Sequence, residues 1–235
     1  MPYAVQVEFR TASSFLVAYS VNLSRGGLFL ETEADIPTGA LITLELSVPA
    51  GGSTPVNGTV AWRRGGEEVD PGGPPGLGIE FADIGPQLGA MIDRLVTGFK
   101  GVQILVLSGD KQDRTTLARS IKTIISTAEI TQAADATVAA SVLAPEIDVA
   151  IVDIDFDLEG GLSIIRAAKQ QQPPVPTIAL TSNSAYREQA IAAGTDELMP
   201  NPPPFAELQV VLVRALGKPL TIRQLEQSGA VDVDL

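Results

Sequence analysis

Three short stretches hold side chains whose spacing permits chemistry. Asp153, Asp155 and Asp157 place carboxylates at every second position, directly after the apolar run Val149-Ala150-Ile151-Val152. Alternating carboxylates are oxygen ligands for hard cations. The full EF-hand spacing is absent, because Leu158 stands at the sixth position of such a loop and no Glu stands at the twelfth. A solvated acidic loop is the plainer reading. Thr181 and Ser182 put two hydroxyls just after the apolar run that ends at Leu180. Asn22-Leu23-Ser24-Arg25-Gly26-Gly27 combines a short polar acceptor, a hydroxyl and glycines. A capped hairpin turn alone explains Asn22 and Gly27.

The 235 residues include no histidine and no cysteine. That excludes His- or Cys-ligated zinc, haem and iron–sulfur sites, disulfides, and Ser-His or Cys-His catalysis. No nucleophile–base pair can be assembled from the remaining motifs, so an enzyme is not expected. Lys and Arg number 16 against 28 Asp and Glu, a formal charge of −12. Such a surface repels nucleic acid and anionic lipid. No signal-peptide pattern opens the chain and no window of about 18 apolar residues occurs, so the expected compartment is the cytoplasm.

These residues sit in two kinds of text, divided near residue 100. From Tyr3 to Phe81 the pattern is strand-like: Val5, Val7 and Phe9; Phe15, Val17, Tyr19 and Val21; Ile42, Leu44, Leu46 and Val48; and Val56, Gly58, Val60 and Trp62 each repeat with period 2. About six short strands in a meander predict a small antiparallel β-barrel, with Trp62 filling it. Leu88, Met91, Ile92, Leu95 and Val96 recur at helical spacing and predict a closing helix. From Val102 strands and helices alternate. About five βα repeats predict an α/β doubly wound five-stranded parallel sheet, whose sites lie at the carboxyl ends of the strands. The expected organisation is a barrel domain over 1–98, a short linker at 99–101, an α/β domain over 102–217 and a polar tail over 218–235.

Asn22-x-Ser24-x-x-Gly27, with Val60-Ala61-Trp62 and Gly76-Leu77-Gly78-Ile79-Glu80-Phe81, resembles the PilZ family of bacterial cyclic di-GMP receptors over most of residues 3–97. The resemblance implies a ligand site at Asn22, Ser24 and Gly27, whose polar groups can reach guanine edges or phosphate. It also implies an Arg-x-x-x-Arg pair before the first strand to grip the phosphates. Met1 to Ala4 contain no arginine. Arg10 lies at the end of the first strand, with Ser14 four residues on, and Arg25 lies inside the turn. Residues 1–98 carry five Arg and Lys against eleven Asp and Glu. Cyclic di-GMP binding is therefore expected to be absent or weak. Divergent PilZ-like proteins of gliding myxobacteria have this look, which suggests motility or cell-polarity control.

Asp148 to Asp153 followed by Gly160-Gly161-Leu162, then Thr181-Ser182, then Ala193 to Leu198, resembles response-regulator receivers over 102–217. The resemblance implies Asp153 as phosphoacceptor and Thr181 as switch. It also implies three parts that have changed here. The Mg²⁺-holding acidic pair reads Ser108-Gly109, leaving Asp110 with Asp153 as a weak Mg²⁺ candidate. Asn201 stands where a phosphate-pairing lysine belongs, and Leu198 where an aromatic switch residue belongs. Asparagine can donate a hydrogen bond but cannot neutralise charge. A phosphoryl group would add about −1.5 to −2 charges beside three Asp residues.

Three readings follow. The leading one is a non-enzymatic signalling adaptor, a pseudo-receiver fused to a PilZ-like domain, docking motility or signalling proteins on the barrel or on the 184–217 face and requiring no cofactor. The others are a cyclic di-GMP receptor and a response regulator phosphorylated on Asp153.

Overall fold

The computed structural model describes residues 3–23, 27–65, 75–83 and 85–225, with Asn22 and Leu23 described by backbone alone. The chain forms two compact units, Met1–Gly98 with Lys218–Leu235, and Phe99–Gly217. None of the described helices is long and apolar enough to cross a membrane.

The first unit is built on one curled sheet. Its strands are β1 (Tyr3–Glu8), β2 (Gly27–Glu31), β3 (Leu41–Val48), β4 (Gly52–Arg64), β5 (Gly76–Phe81) and β11 (Thr221–Leu225), in the order β11-β1-β3-β4-β5-β2. Four pairings are antiparallel, while β1 and β3 run parallel. The expected small antiparallel barrel appears as a curled, antiparallel-rich sheet, and the expected meander is kept only through β3-β4-β5, because a helix and β2 intervene between the parallel β1 and β3. Period-2 alternation puts Val5 and Val7, then Ile42, Leu44, Leu46 and Val48, then Val56 and Val60, into one core. Helix α2 (Pro86–Thr97) closes that core with Leu88, Met91 and Leu95, as the helical spacing predicts.

Residues 15–21, expected as a strand, lie in helix α1 (Ala12–Leu23) instead. Local capping decides the matter. The Thr11 hydroxyl accepts from the Ser14 N–H at 3.0 Å, and the Ser14 hydroxyl accepts from the Thr11 N–H at 3.1 Å. This is a reciprocal box of the kind that starts helices. Phe15 and Ala18, three apart, are then the buried pair, and Phe15 packs edge-on to Phe9 at 5.2 Å.

The polar segment after residue 217, expected as a tail, supplies strand β11. It runs antiparallel to β1 from Ala4↔Leu225 to Glu8↔Thr221. The Leu220 N–H donates to the Glu8 carbonyl at 2.7 Å, and Lys218 pairs with Glu31 at 3.0 Å. The exposed edge of β1 wants a partner more than the segment's low hydropathy suggests, because unpaired N–H and C=O groups are costly.

The second unit has strands β6 (Val102–Leu107), β7 (Ala128–Ala133), β8 (Val149–Asp153), β9 (Thr177–Leu180) and β10 (Glu197–Met199). All four pairings are parallel, in the order β10-β9-β8-β6-β7. Helices α3 (Lys111–Ile124), α4 (Ala136–Val142), α5 (Leu158–Lys169), α6 (Ser184–Ala193) and α7 (Phe205–Gly217) alternate with them. Read in chain order this is 2-1-3-4-5, the doubly wound order shared by flavodoxin and the chemotaxis receiver. Every residue of β8 and β9 is buried, which is why both read as continuous apolar runs.

Removing residues 218–235 uncovers the β1 edge. The unfolding temperature of the first unit should fall by roughly 5 °C or more, with that of the second unit unchanged. Scanning calorimetry of the full and truncated chains checks this.

Candidate functional site

The carboxyl ends of β6, β8, β9 and β10 bring Ser108, Asp153, Thr181 and Asn201 together. Ser108, Asp153 and Thr181 are all buried. Asp153 closes β8, and each of its oxygens is engaged. Oδ2 accepts from the Ser108 hydroxyl at 2.9 Å, and Oδ1 accepts from the Asn201 side-chain amide at 3.0 Å. Oδ1 also accepts from the backbone N–H of Asp155 at 3.0 Å.

Asp155, which sequence reasoning assigned only to an acidic loop, is the centre of a second set of bonds. Its Oδ1 accepts from the Thr181 hydroxyl at 2.5 Å. Its Oδ2 accepts from the Ser182 N–H at 2.7 Å, the Ser182 hydroxyl at 2.8 Å and the Asn201 amide at 3.4 Å. One asparagine amide therefore bridges two carboxylates. Burial pushes the Asp155 carboxyl up, but the bonds from Thr181, Ser182 and Asn201 outweigh it and hold the group below its ordinary 3.8.

The other carboxylates have local duties. Asp110 is the N-cap of α3, where Oδ1 accepts from the N–H groups of Gln112 at 2.7 Å and Asp113 at 2.9 Å. Asp157 caps α5 through the Gly160 N–H at 3.0 Å. Each satisfies a helix N-terminus. Among the described residues, no group of three or more acidic side chains is placed to hold a metal ion. Mg²⁺ asks for near-octahedral oxygen ligands, and Asp110, expected to join Asp153 in holding it, is turned to the α3 N-terminus.

The residues that the resemblance sets at the first and fifth strand ends, Ser108, Gly109 and Leu198, all have partners. Gly109 lies under the ring of Phe156, and a Cβ there would come within 2.2 Å of it. Arg114 donates to the Ser108 carbonyl at 2.5 Å and the Gly109 carbonyl at 3.2 Å. Leu198 packs against the second unit's core.

In the first unit, Asn22 falls in the last turn of α1. Ser24 and Arg25 lie outside the described residues. Gly27 opens β2 opposite Glu80. A Cβ on Gly27 would meet the Ile79 carbonyl oxygen at 1.9 Å, so sheet packing alone demands glycine there. Arg10 is buried and engaged within the fold.

Trp62 does not fill the core. A register shift between Val60 and Trp62 turns its side chain outward, leaving it 41% exposed. A bulge reverses the alternation beyond it. The indole stacks on Phe29, with ring centres 5.2 Å apart and planes 8° apart. The Arg64 guanidinium lies 4.8 Å from the Phe29 ring centre and 5.4 Å from that of Trp62. Gly78 provides the floor, since a Cβ on it would strike the indole at 2.1 Å. The result is a flat aromatic surface with one cation.

The family model of the PilZ domain matches residues 1–98. These residues are a PilZ domain. No curated protein matches the chain. The second unit is similar to solved receiver structures. One is the signal receiver domain of a DNA-binding response regulator from Colwellia psychrerythraea 34H, at 20% identity, covering 50% of this chain and 99% of that one, with TM-score 0.45. Another is the receiver domain of a sensor histidine kinase from Pseudomonas aeruginosa PAO1, solved with a magnesium ion in its active-site cleft, at 27% identity, with coverages of 50% and 99% and TM-score 0.44. A third is a putative pilus assembly-related protein from Burkholderia pseudomallei K96243, at 22% identity, with coverages of 50% and 92% and TM-score 0.44. By its 2-1-3-4-5 order the C-terminal unit is a receiver-like α/β domain.

The aromatic surface of the PilZ domain and the Asp155 bonds of the receiver-like domain are what sequence reasoning missed. Gly76 and Gly78 on β5 were a signal for the first, because glycines on a strand mark close approach.

Since Asp155 has a lowered folded pKa, its contribution to stability is present above the ordinary value and lost as pH falls through the lower folded value. Asp155→Ala should cost about 1–3 kcal/mol at neutral pH. The difference from wild type should close once the solution is acidified below the folded value. Denaturant unfolding across acid pH checks both the size and the sign.

Proposed function

We propose that the chain is a non-enzymatic signalling adaptor that acts through protein contacts, with phosphorylation of Asp153 and cyclic di-GMP binding weak or lost. The observation that carries this reading is the uncharged seal around Asp153. Its oxygens are held by Ser108, Asn201 and a backbone N–H at 2.9–3.0 Å. A phosphoryl group arriving there would meet Asp155 and no neutralising lysine. Asp110, the acidic residue nearest the altered pair, is occupied as a helix cap.

The docking surface in this reading is the 184–217 face. Ile191 on α6 and Phe205 and Val210 on α7 are large apolar side chains left exposed. Apolar groups in such elements suit protein contact. The cytoplasm is the compartment this reading implies. Motility or cell-polarity control is the process suggested by the resemblance to divergent PilZ proteins.

One observation favours a second reading, that of a cyclic di-GMP receptor. Trp62, Phe29 and Arg64 form a surface on which a base can stack. Trp62 is the chain's one tryptophan, so its fluorescence reports directly on that surface.

Two outcomes are expected. Adding cyclic di-GMP at high micromolar concentration leaves Trp62 emission unchanged; saturable quenching would favour the receptor. Proteins that co-purify from cells with the wild-type chain are lost when Ile191, Phe205 and Val210 are all changed to Glu. An unaltered set of co-purifying proteins would sink the proposed docking face.

A further inference from the structure

The Asp155 carboxylate draws donors from two other loops. Thr181 and Ser182 follow β9, Asn201 follows β10, and Asp155 itself follows β8. Two hydroxyls, a backbone N–H and a side-chain amide converge on two oxygens over 2.5–3.4 Å. Convergent donors of this kind form a cradle for an oxyanion. Each hydroxyl and the Ser182 N–H has a single proton to give. An oxyanion from solution therefore cannot use those protons while the carboxylate holds them.

The contact continues beyond the cradle. The Thr181 hydroxyl that donates to Asp155 also accepts from the Asn183 N–H at 3.0 Å. The Asn183 side chain in turn caps α6 through the Ala185 N–H at 3.0 Å. Asp155 is thus joined by hydrogen bonds to the first turn of α6, the start of the 184–217 face.

We infer that Asp155 is a resident anion: its carboxylate fills an oxyanion cradle beside Asp153 and holds the loops after β8 and β9 in one fixed arrangement with no ligand bound. This rests on the adaptor reading, in which no phosphoryl group operates the site. The ligand class excluded is a small oxyanion such as phosphate or a carboxylate. The fixed arrangement gives α6 a constant N-terminal turn for a partner to recognise.

The test is amide hydrogen exchange and chemical shift at Ser182, measured by NMR on the full chain and on Asp155→Ala and Asp155→Asn. In the wild-type chain the Ser182 amide is protected. In Asp155→Ala its exchange is faster by about tenfold or more, the loss of one good hydrogen bond. Excess formate, the smallest carboxylate, restores the shift and the protection in Asp155→Ala and leaves the wild type unmoved. Asp155→Asn keeps one acceptor oxygen, so its Ser182 amide exchanges between the wild-type and Asp155→Ala rates, and formate does not change it because the side chain still fills the space. A wild-type Ser182 amide that exchanges like an open-loop amide overturns the inference. So does formate acting equally on wild type and Asp155→Ala. If Asp155→Ala fails to fold, the wild-type rate and Asp155→Asn still decide. Labelling of Asp153 by acetyl phosphate in the wild-type chain counts against the adaptor reading alone, so the two fail separately.

Discussion

Two carboxylates held side by side by uncharged hydrogen-bond donors set the terms for the receiver-like domain. Asp153 and Asp155 share one Asn201 amide, and their other donors among the described residues are hydroxyls and backbone N–H groups. Like charges in a partly buried site repel. They are kept there by the number of hydrogen bonds each receives, three for Asp153 and four for Asp155. The cost of losing any one donor is high, because an unsatisfied ionised oxygen loses both its partner and its water. Ser108, Thr181 and Ser182 are therefore tied to the two aspartates as one unit.

The PilZ domain is governed by a different constraint, the close approach of backbones and rings over β5. Gly27 is pressed against the Ile79 carbonyl and Gly78 lies under the Trp62 indole. Neither position tolerates a Cβ without displacing a neighbour. Gly27 thus has a packing reason here that operates with or without a ligand. The register shift in β4 sets Trp62 beside Phe29 as a flat pair, whereas a strictly alternating β4 would have turned Trp62 inward.

Much of this was legible in the residues, and the failures have physical causes. β6, β8 and β9 announce themselves because strands buried on both faces are continuous apolar runs. Asp153, Thr181, Ser108 and Asn201 were singled out by the resemblance to receivers, and the sheet brings them together. Residues 15–21 misled because period-2 spacing over a short stretch does not exclude a helix, and the Thr11–Ser14 box lies just outside the repeat. Strand β11 was hidden because its partner, β1, lies more than 200 residues away, as in the Thr221–Glu8 hydrogen bond of separation 213. The role of Asp155 was hidden because bonds between three loops leave no periodic trace. Trp62 was misplaced by a single bulge, which no composition rule marks.

The groups around Asp153 and Asp155 satisfy one another. Here Ser108 donates to Asp153, the ring of Phe156 lies over Gly109, Arg114 caps the carbonyls of both residues, and Asn201 reaches both aspartates. None of the described buried side-chain oxygens or nitrogens lacks a partner. Together these groups form a closed polar network of the sort that fixes a single conformation. A lysine in place of Asn201 would put a cation between the aspartates but would give up the two amide bonds that bridge them. Asp155 would then have a reason to leave Thr181. The present residues are consistent with one another as a rigid arrangement.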